Sequence, residues 1–224
     1  AYFAVNANKK LGFGFNIDYW YGRGMYQNQA TSLFNGSLFS SYNSDHYNLH
    51  FIISSNTIKI GENGGITDDR YITDPLSMSD GKREVSSNNI PVILSDTWNR
   101  NKNLYIFLTH RYNLGFSRDK EDKEGEKEFV PVTSFIHTVN VQSNDRTFIS
   151  YTTPPNYYVN DYLYSDSTYD KTKNLSVKNT LGISLREGFS KWAKAGLTAF
   201  ATYEYRNFTL PDSLPNQVLY DRKY

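Results

Sequence analysis

Six charged side chains occupy the polar positions of strand-like alternating segments: Asp18, Arg111, Lys178, Arg186, Glu204 and Arg206. None has the spacing of a bond-making constellation. Charges spread over one face of such segments act on nearby ions and solutes through their field, with no covalent step. The four basic side chains outnumber the two acidic ones, which points toward anions. The competing assignment is an ion-pair network that braces a filled interior.

The other reactive residue types narrow the chemistry further. With no Cys, the chain has no disulfide framework, thiolate metal site or Cys nucleophile. His46, His50, His110 and His137 lack the spacing of a zinc motif and read as strand or interface histidines. Gly188-Phe189-Ser190-Lys191-Trp192 lacks the final Gly of a nucleophile elbow. Glu62, Asp68, Asp69 and Asp74 are near enough in sequence to be weighed as a Ca²⁺ cluster, but they lack EF-hand order. Asn63-Gly64-Gly65 is more simply a turn. The expectation is therefore no catalytic residue, no cofactor and no metal. A net charge of +1, from 24 basic and 23 acidic residues, supplies no drive toward nucleic acid.

The elements that would position these charges are strands. Leu11, Phe13, Phe15, Ile17, Tyr19 and Tyr21 alternate with Gly12, Gly14, Asn16 and Asp18. Tyr47–Ile53, 104–116 and 175–185 repeat the period of two, with His110 as an exception on an apolar face. Ten strands are expected, at about 1–7, 10–21, 32–43, 46–60, 88–99, 103–116, 130–143, 146–154, 173–187 and 194–209. Short turns fall at Asn8–Lys9, Ser44–Asp45, Arg100–Lys102, Asn144–Asp145 and 188–193. Long polar connections fall at 22–31, 61–87, 117–129 and 155–172, with a polar tail from Leu210. Residues 118–128 carry ten charges of mixed sign in eleven positions, which fits a solvated loop.

Alternation alone suits a sandwich or a membrane barrel, since both have one apolar face. Three features favour lipid. The non-apolar face is small and polar, as at Asn48, His50, Ser54 and Asn56. Aromatics gather near strand ends: Tyr42, Tyr47, Trp98 and Trp192 at the short turns, and Tyr19, Trp20 and Tyr21 at the other end. Mean hydropathy is −0.62, yet the apolar faces are almost free of charge. Several strands reach twelve residues or more, beyond the usual five or six and enough to cross a bilayer at a tilt. The longest apolar runs are only a few residues, as at Leu104–Leu108, so no helical span is expected. In lipid, strands satisfy their backbone groups by closing into a barrel.

Three stretches resemble the porin family of Bacteroides-group outer membranes: Glu62-Asn63-Gly64-Gly65, Tyr71-Ile72-Thr73-Asp74-Pro75, and Phe107 to Gly115. Phe15 to Asn28, Pro131 to His137 and Asn179 to Tyr203 are similar to further segments of that family, so the likeness extends over nearly the whole chain. It implies an all-β, antiparallel transmembrane β-barrel, with 1–224 one section of a longer barrel. Ala1–Ala7 already reads as strand, with no leader pattern before it, which fits an internal section. The expected function is passive diffusion of small hydrophilic solutes through a water-filled lumen in a Gram-negative outer membrane. Asp18, Arg111, Lys178, Arg186, Glu204 and Arg206 are the pore-lining candidates. Expected partners are outer-membrane lipid, the solutes themselves and other outer-membrane proteins. A plugged accessory barrel of a larger uptake or secretion complex, and a soluble glycan-binding β-sandwich, are the alternatives. Asp166-Ser167-Thr168 and Asp212-Ser213-Leu214 resemble the O-glycosylated Asp-Ser/Thr-x sites of exported proteins in that group.

Overall fold

The computed structural model describes residues 1–79, 85–119, 127–158, 167–186 and 196–210, and the backbone of 221–223. The expected turn at 188–193 with Trp192, most of the charged run 118–128, Asp166 and Asp212-Ser213-Leu214 lie outside the described residues.

One antiparallel sheet of nine strands, each bonded to its sequence neighbours, makes up the architecture. The strands are β1 (Tyr2–Asn6), β2 (Leu11–Gly22), β3 (Thr31–Asn43), β4 (Tyr47–Gly61), β5 (Thr97–Asp119), β6 (Lys127–Ser150), β7 (Thr168–Leu185), β8 (Leu197–Thr209) and the short β9 (Asp221–Lys223). Among the described residues β1 and β9 do not pair, so the sheet is open there. Among the described residues the helical segments are one turn each, such as α1 (Arg70–Thr73), and none is long and apolar enough to cross a membrane.

Two pairs of expected strands merge, although of the expected strand 88–99 only 97–99 is strand: Ser87–Asn89 is a single 3-10 turn and the residues up to Asp96 belong to the connection. Residues 97–119 run through the expected turn at Arg100–Lys102, and 127–150 run through Asn144–Asp145. The turn signals there are Asn, Asp and Lys, residues that break pattern in a short sequence window. In the sheet they are ladder residues: Lys102 faces Asp145, and Asn144 faces Asn103, which in turn faces Asn56. The two mergers take the ten expected strands to eight, the short unexpected β9 makes nine among the described residues, and the connection at 117–129 moves to the end that holds the turns 7–10 and 44–46. The opposite end holds 23–30, 62–96 and 151–167.

The register sorts side chains onto two faces. The row Phe13, Ser40, Phe51, Leu108, Val139, Asn179, Tyr203 lies on one face. The next row there is Phe15, Leu38, Ile53, Ile106, Val141, Val177, Tyr205. Nothing covers this face. Leu181 is 61% exposed, Ile183 51% and Leu197 67%. Among the described residues the buried apolar side chains are Ile90, Leu94 and Ile149. A sandwich buries the inner faces of two sheets against each other; among the described residues there is one layer, with its apolar face uncovered.

The strands are also staggered. Leu11, close to the first turn, shares a row with Leu49, whereas β4 begins two residues nearer its turn at Tyr47. Tyr47 shares a row with Ile183, and β7 continues to Leu185. From β1 to β5 each strand thus reaches further toward the short-turn end and β6 ends level with β5, whereas β7 and β8 stop two rows past Tyr47; the stagger over β1–β6 is of the kind that accompanies strand tilt. A bulge between Leu114 and Gly115 sits opposite Pro131, which has no N–H for the ladder. A side chain at Gly115 would meet the Val130 carbonyl at 2.0 Å, so only glycine fits there.

Candidate functional site

The polar face is built of like residues set side by side. Asp18, Asn35, Asn56, Asn103, Asn144 and Asn174 form one unbroken row across β2–β7. Asn103 Nδ2 donates to Asn56 Oδ1 at 2.7 Å, and Asn16 Nδ2 donates to Asp18 Oδ2 at 2.7 Å. Asn35, Asn144 and Asn174 are half-buried, and among the described residues their side chains have no hydrogen-bond partner. Their amides are therefore available to water or to a solute, as donor and acceptor alike.

Nearer the short-turn end runs a hydroxyl row, Thr109, Thr138, Thr180 and Thr202. Its members pair at 2.8 Å (Thr109 with Thr138) and 3.0 Å (Thr180 with Thr202). Between the two rows lies an apolar strip of Phe39, Ile52 and Phe107. Phe39 lies across Gly14 at a distance that leaves no room for a Cβ, and its ring stacks on Tyr2 at 6.0 Å. Phe107 stacks on Tyr105 at 6.4 Å.

The register puts all six charged candidates on this polar face, in three places. Asp18 ends the asparagine row. Lys178, Glu204 and Arg206 form a group: Lys178 faces Glu204 across the β7–β8 pair, and Glu204 Oε1 accepts from Arg206 Nε at 2.7 Å and Ser176 Oγ at 2.9 Å. Arg111 and Arg186 share a polar depression with Asn43, Asn48 and His50 at the short-turn end.

That end is pinned by Asn113, which is 4% exposed. Its Nδ2 donates to the Asp45 carbonyl at 2.9 Å and to Asn48 Oδ1 at 3.1 Å, and its Oδ1 accepts from Ser134 Oγ at 2.7 Å. Sequence reasoning missed this residue, because its partners lie on three other segments.

At the other end the loops fold against one another. Asn28, held at φ +51°, donates from Nδ2 to the carbonyls of Glu62 at 2.7 Å and Thr97 at 3.0 Å. Asn63 Nδ2 donates to the Gln27 carbonyl at 3.3 Å. Leu94 (3% exposed) packs against Gly64, and Tyr157 reaches the same glycine. Ile90, Leu94 and these loop contacts form a small core of their own. Behind it, hydroxyls link Thr97 to Ser150 at 2.7 Å and Ser150 to Thr153 at 3.0 Å. The loop acids do not converge on a cation: Asp68 is engaged by Arg70 at 2.6 Å, and among the described residues no group of three metal-ligating side chains forms. The side-chain hydrogen bond from Arg70 holds the Asp68 carboxyl below its ordinary range.

A family model described as "Putative porin" matches residues 1–224, the whole chain. The chain belongs to that porin family. No curated protein and no solved structure matches it.

In this porin-family chain, several of the stretches that carry the resemblance meet in space. The 22–28 loop binds Glu62-Asn63-Gly64 through Asn28 and Asn63. The Phe107–Gly115 strand pairs with Pro131–His137, which sets His110 Nε2 3.0 Å from His137 Nδ1. The exceptional His110 thus has a partner on the apolar face: one ring nitrogen donates to the other.

Proposed function

We propose that this chain forms part of the wall of an outer-membrane β-barrel through which small hydrophilic solutes diffuse. The observation that carries the reading is the two-faced single sheet. One face is an uncovered apolar band; the other bears rows of amide, hydroxyl and charged side chains. In water the apolar band would be a large aggregation surface. In a bilayer it faces acyl chains, and the polar face lines a lumen. Membership in the porin family and the stagger of the strands support closure with further strands.

Selection in such a lumen needs no cofactor and no bond-making residue. The amides of the asparagine row replace water hydrogen bonds of a neutral solute. Arg111, Arg186, Lys178 and Arg206 outnumber Asp18 and Glu204, so the field favours anions. Lipid and solute are then the partners.

The test is planar-bilayer conductance of the full-length protein, after heat-modifiable gel migration confirms a folded barrel. Stable open-channel current with anion preference supports the proposal; absence of current from heat-modifiable protein overturns it. A second reading has its own observation. The loop core around Ile90 and Leu94 packs at one mouth of the sheet, as a plug would in an accessory barrel. Current that appears only after this core is loosened would favour it.

A further inference from the structure

The outward face changes character toward the long-loop end. Lys59 lies directly opposite Arg100, and Lys171 follows in the same row. One row nearer the apolar band, Lys102, Asp145 and Lys173 stand side by side. Five cations and one carboxylate thus share two adjacent rows. Among the described residues none of the five forms an ion pair. Arg100 Nε is buried without a hydrogen-bond partner. Lys59 Nζ lies 4.4 Å and the Arg100 guanidinium 5.4 Å from the centre of the Trp98 ring, which gathers both charges without neutralising either. Like charges directly opposite one another across strands are destabilising. The arrangement calls for an external anion.

The place of the cluster limits what that anion is. Its rows span β4–β7, three strand spacings or about 14 Å, and extend about 7 Å along the strands. One phosphate is too small to meet all five cations. The rows that follow toward the short-turn end bring Leu104 and Leu175, then Ile106 and Val141, continuous with the apolar band. We propose that this cluster binds a membrane lipid whose headgroup carries two or more phosphates, with its acyl chains lying on the band below. This rests on the membrane reading above but not on the pore being open.

The test uses the full-length protein in phosphatidylcholine vesicles, with bis-phosphorylated lipid A and its dephosphorylated form as probes. Flotation scores insertion, and native mass spectrometry scores retained probe. The phosphorylated probe is expected to be retained in preference. At about fivefold per cation, Lys59→Gln/Arg100→Gln/Lys171→Gln should lower its retention on the order of a hundredfold. Lys178→Gln, on the opposite face, should retain it fully, and the charge-preserving Lys59→Arg/Arg100→Lys exchange should as well. Equal retention of the two probes, or full retention by the triple variant, overturns the lipid site alone. Complete displacement by inorganic phosphate overturns it in favour of a free-anion site. Failure to float with the vesicles overturns the membrane reading and the lipid site together.

Discussion

Thr180 and Leu181 are neighbours in β7, yet they belong to different environments. Thr180 joins the hydroxyl row of the polar face, bonded to Thr202 at 3.0 Å. Leu181 stands on the uncovered apolar band beside His137 and Ala201. The same backbone ladder holds both, so the sheet itself is indifferent to which face is wet. On the proposed reading the difference separates stability from selection: the side chains of the apolar face would hold the sheet in lipid, and those of the polar face would decide what passes along it.

The largest expected effect breaks that comparison directly. Leu181→Lys places a charge near the middle of the outward run Leu175–Leu185 and should cost about 2–4 kcal/mol of stability in lipid. Thr180→Lys, one residue away, should cost at most about 1 kcal/mol, for the lost hydroxyl pair. Urea unfolding in vesicles, followed by heat-modifiable migration, measures both. Similar losses for the two would mean that the faces are not distinct.

Next in size is the loop core at the long-loop end. Asn28→Ala leaves the Glu62 and Thr97 carbonyls without their side-chain donor, a loss of about 1–3 kcal/mol confined to the loops. Faster protease nicking within 62–96, with unchanged unfolding of the sheet, is the expected result. Larger single-channel current from the same variant would identify the loop core as a constriction. Unchanged nicking would show that Ile90 and Leu94 hold the loops without Asn28.

The parity of the strands was legible in the sequence, and with it the face of each charged candidate. Lys178, Glu204 and Arg206 needed only the alternation of their own strands. Their partners needed the register, and no local pattern contains it: Ser176 meets Glu204 from another strand, and Asn113 gathers Asp45, Asn48 and Ser134. The asparagine row was hidden for a related reason. Asn144 reads as a turn residue, and Asn103 as a strand's first residue just past a turn, because asparagine does favour turns. In a wall with water on one side, the same side chain also paves the interior of a strand, and the two uses look alike in a short window. The outward cations Arg100 and Lys102 misled in the same way, since they mark where a strand leaves the apolar band and not where it ends.

A smaller effect sharpens the role of the polar face. Arg111→Gln with Arg186→Gln removes both cations of the depression at the short-turn end. Anion preference should fall by a few-fold, as expected for charges screened by water over about 8–10 Å. Reversal potentials in a salt gradient measure it, and stability should not move. Arg206→Gln should lower anion preference by about as much as the loss of any one cation, and leaves Glu204 without its closest cation.

The smallest effect concerns pH. Arg70 holds the Asp68 carboxyl below the ordinary value, chiefly by its side-chain hydrogen bond. A carboxyl depressed on folding stabilises the folded loop above its unfolded pKa, and that contribution is lost as pH falls through the folded one. The loops should therefore loosen only below about pH 4, the ordinary aspartate range. Both groups are exposed, so the change in nicking rate by an acid-active protease should stay within a factor of about two. Asp68→Asn should remove the acid step and leave the sheet's unfolding unchanged. An acid step that persists in Asp68→Asn would place the sensitive carboxylate elsewhere in the loops, with Asp69 and Asp74 beside α1 next to be replaced.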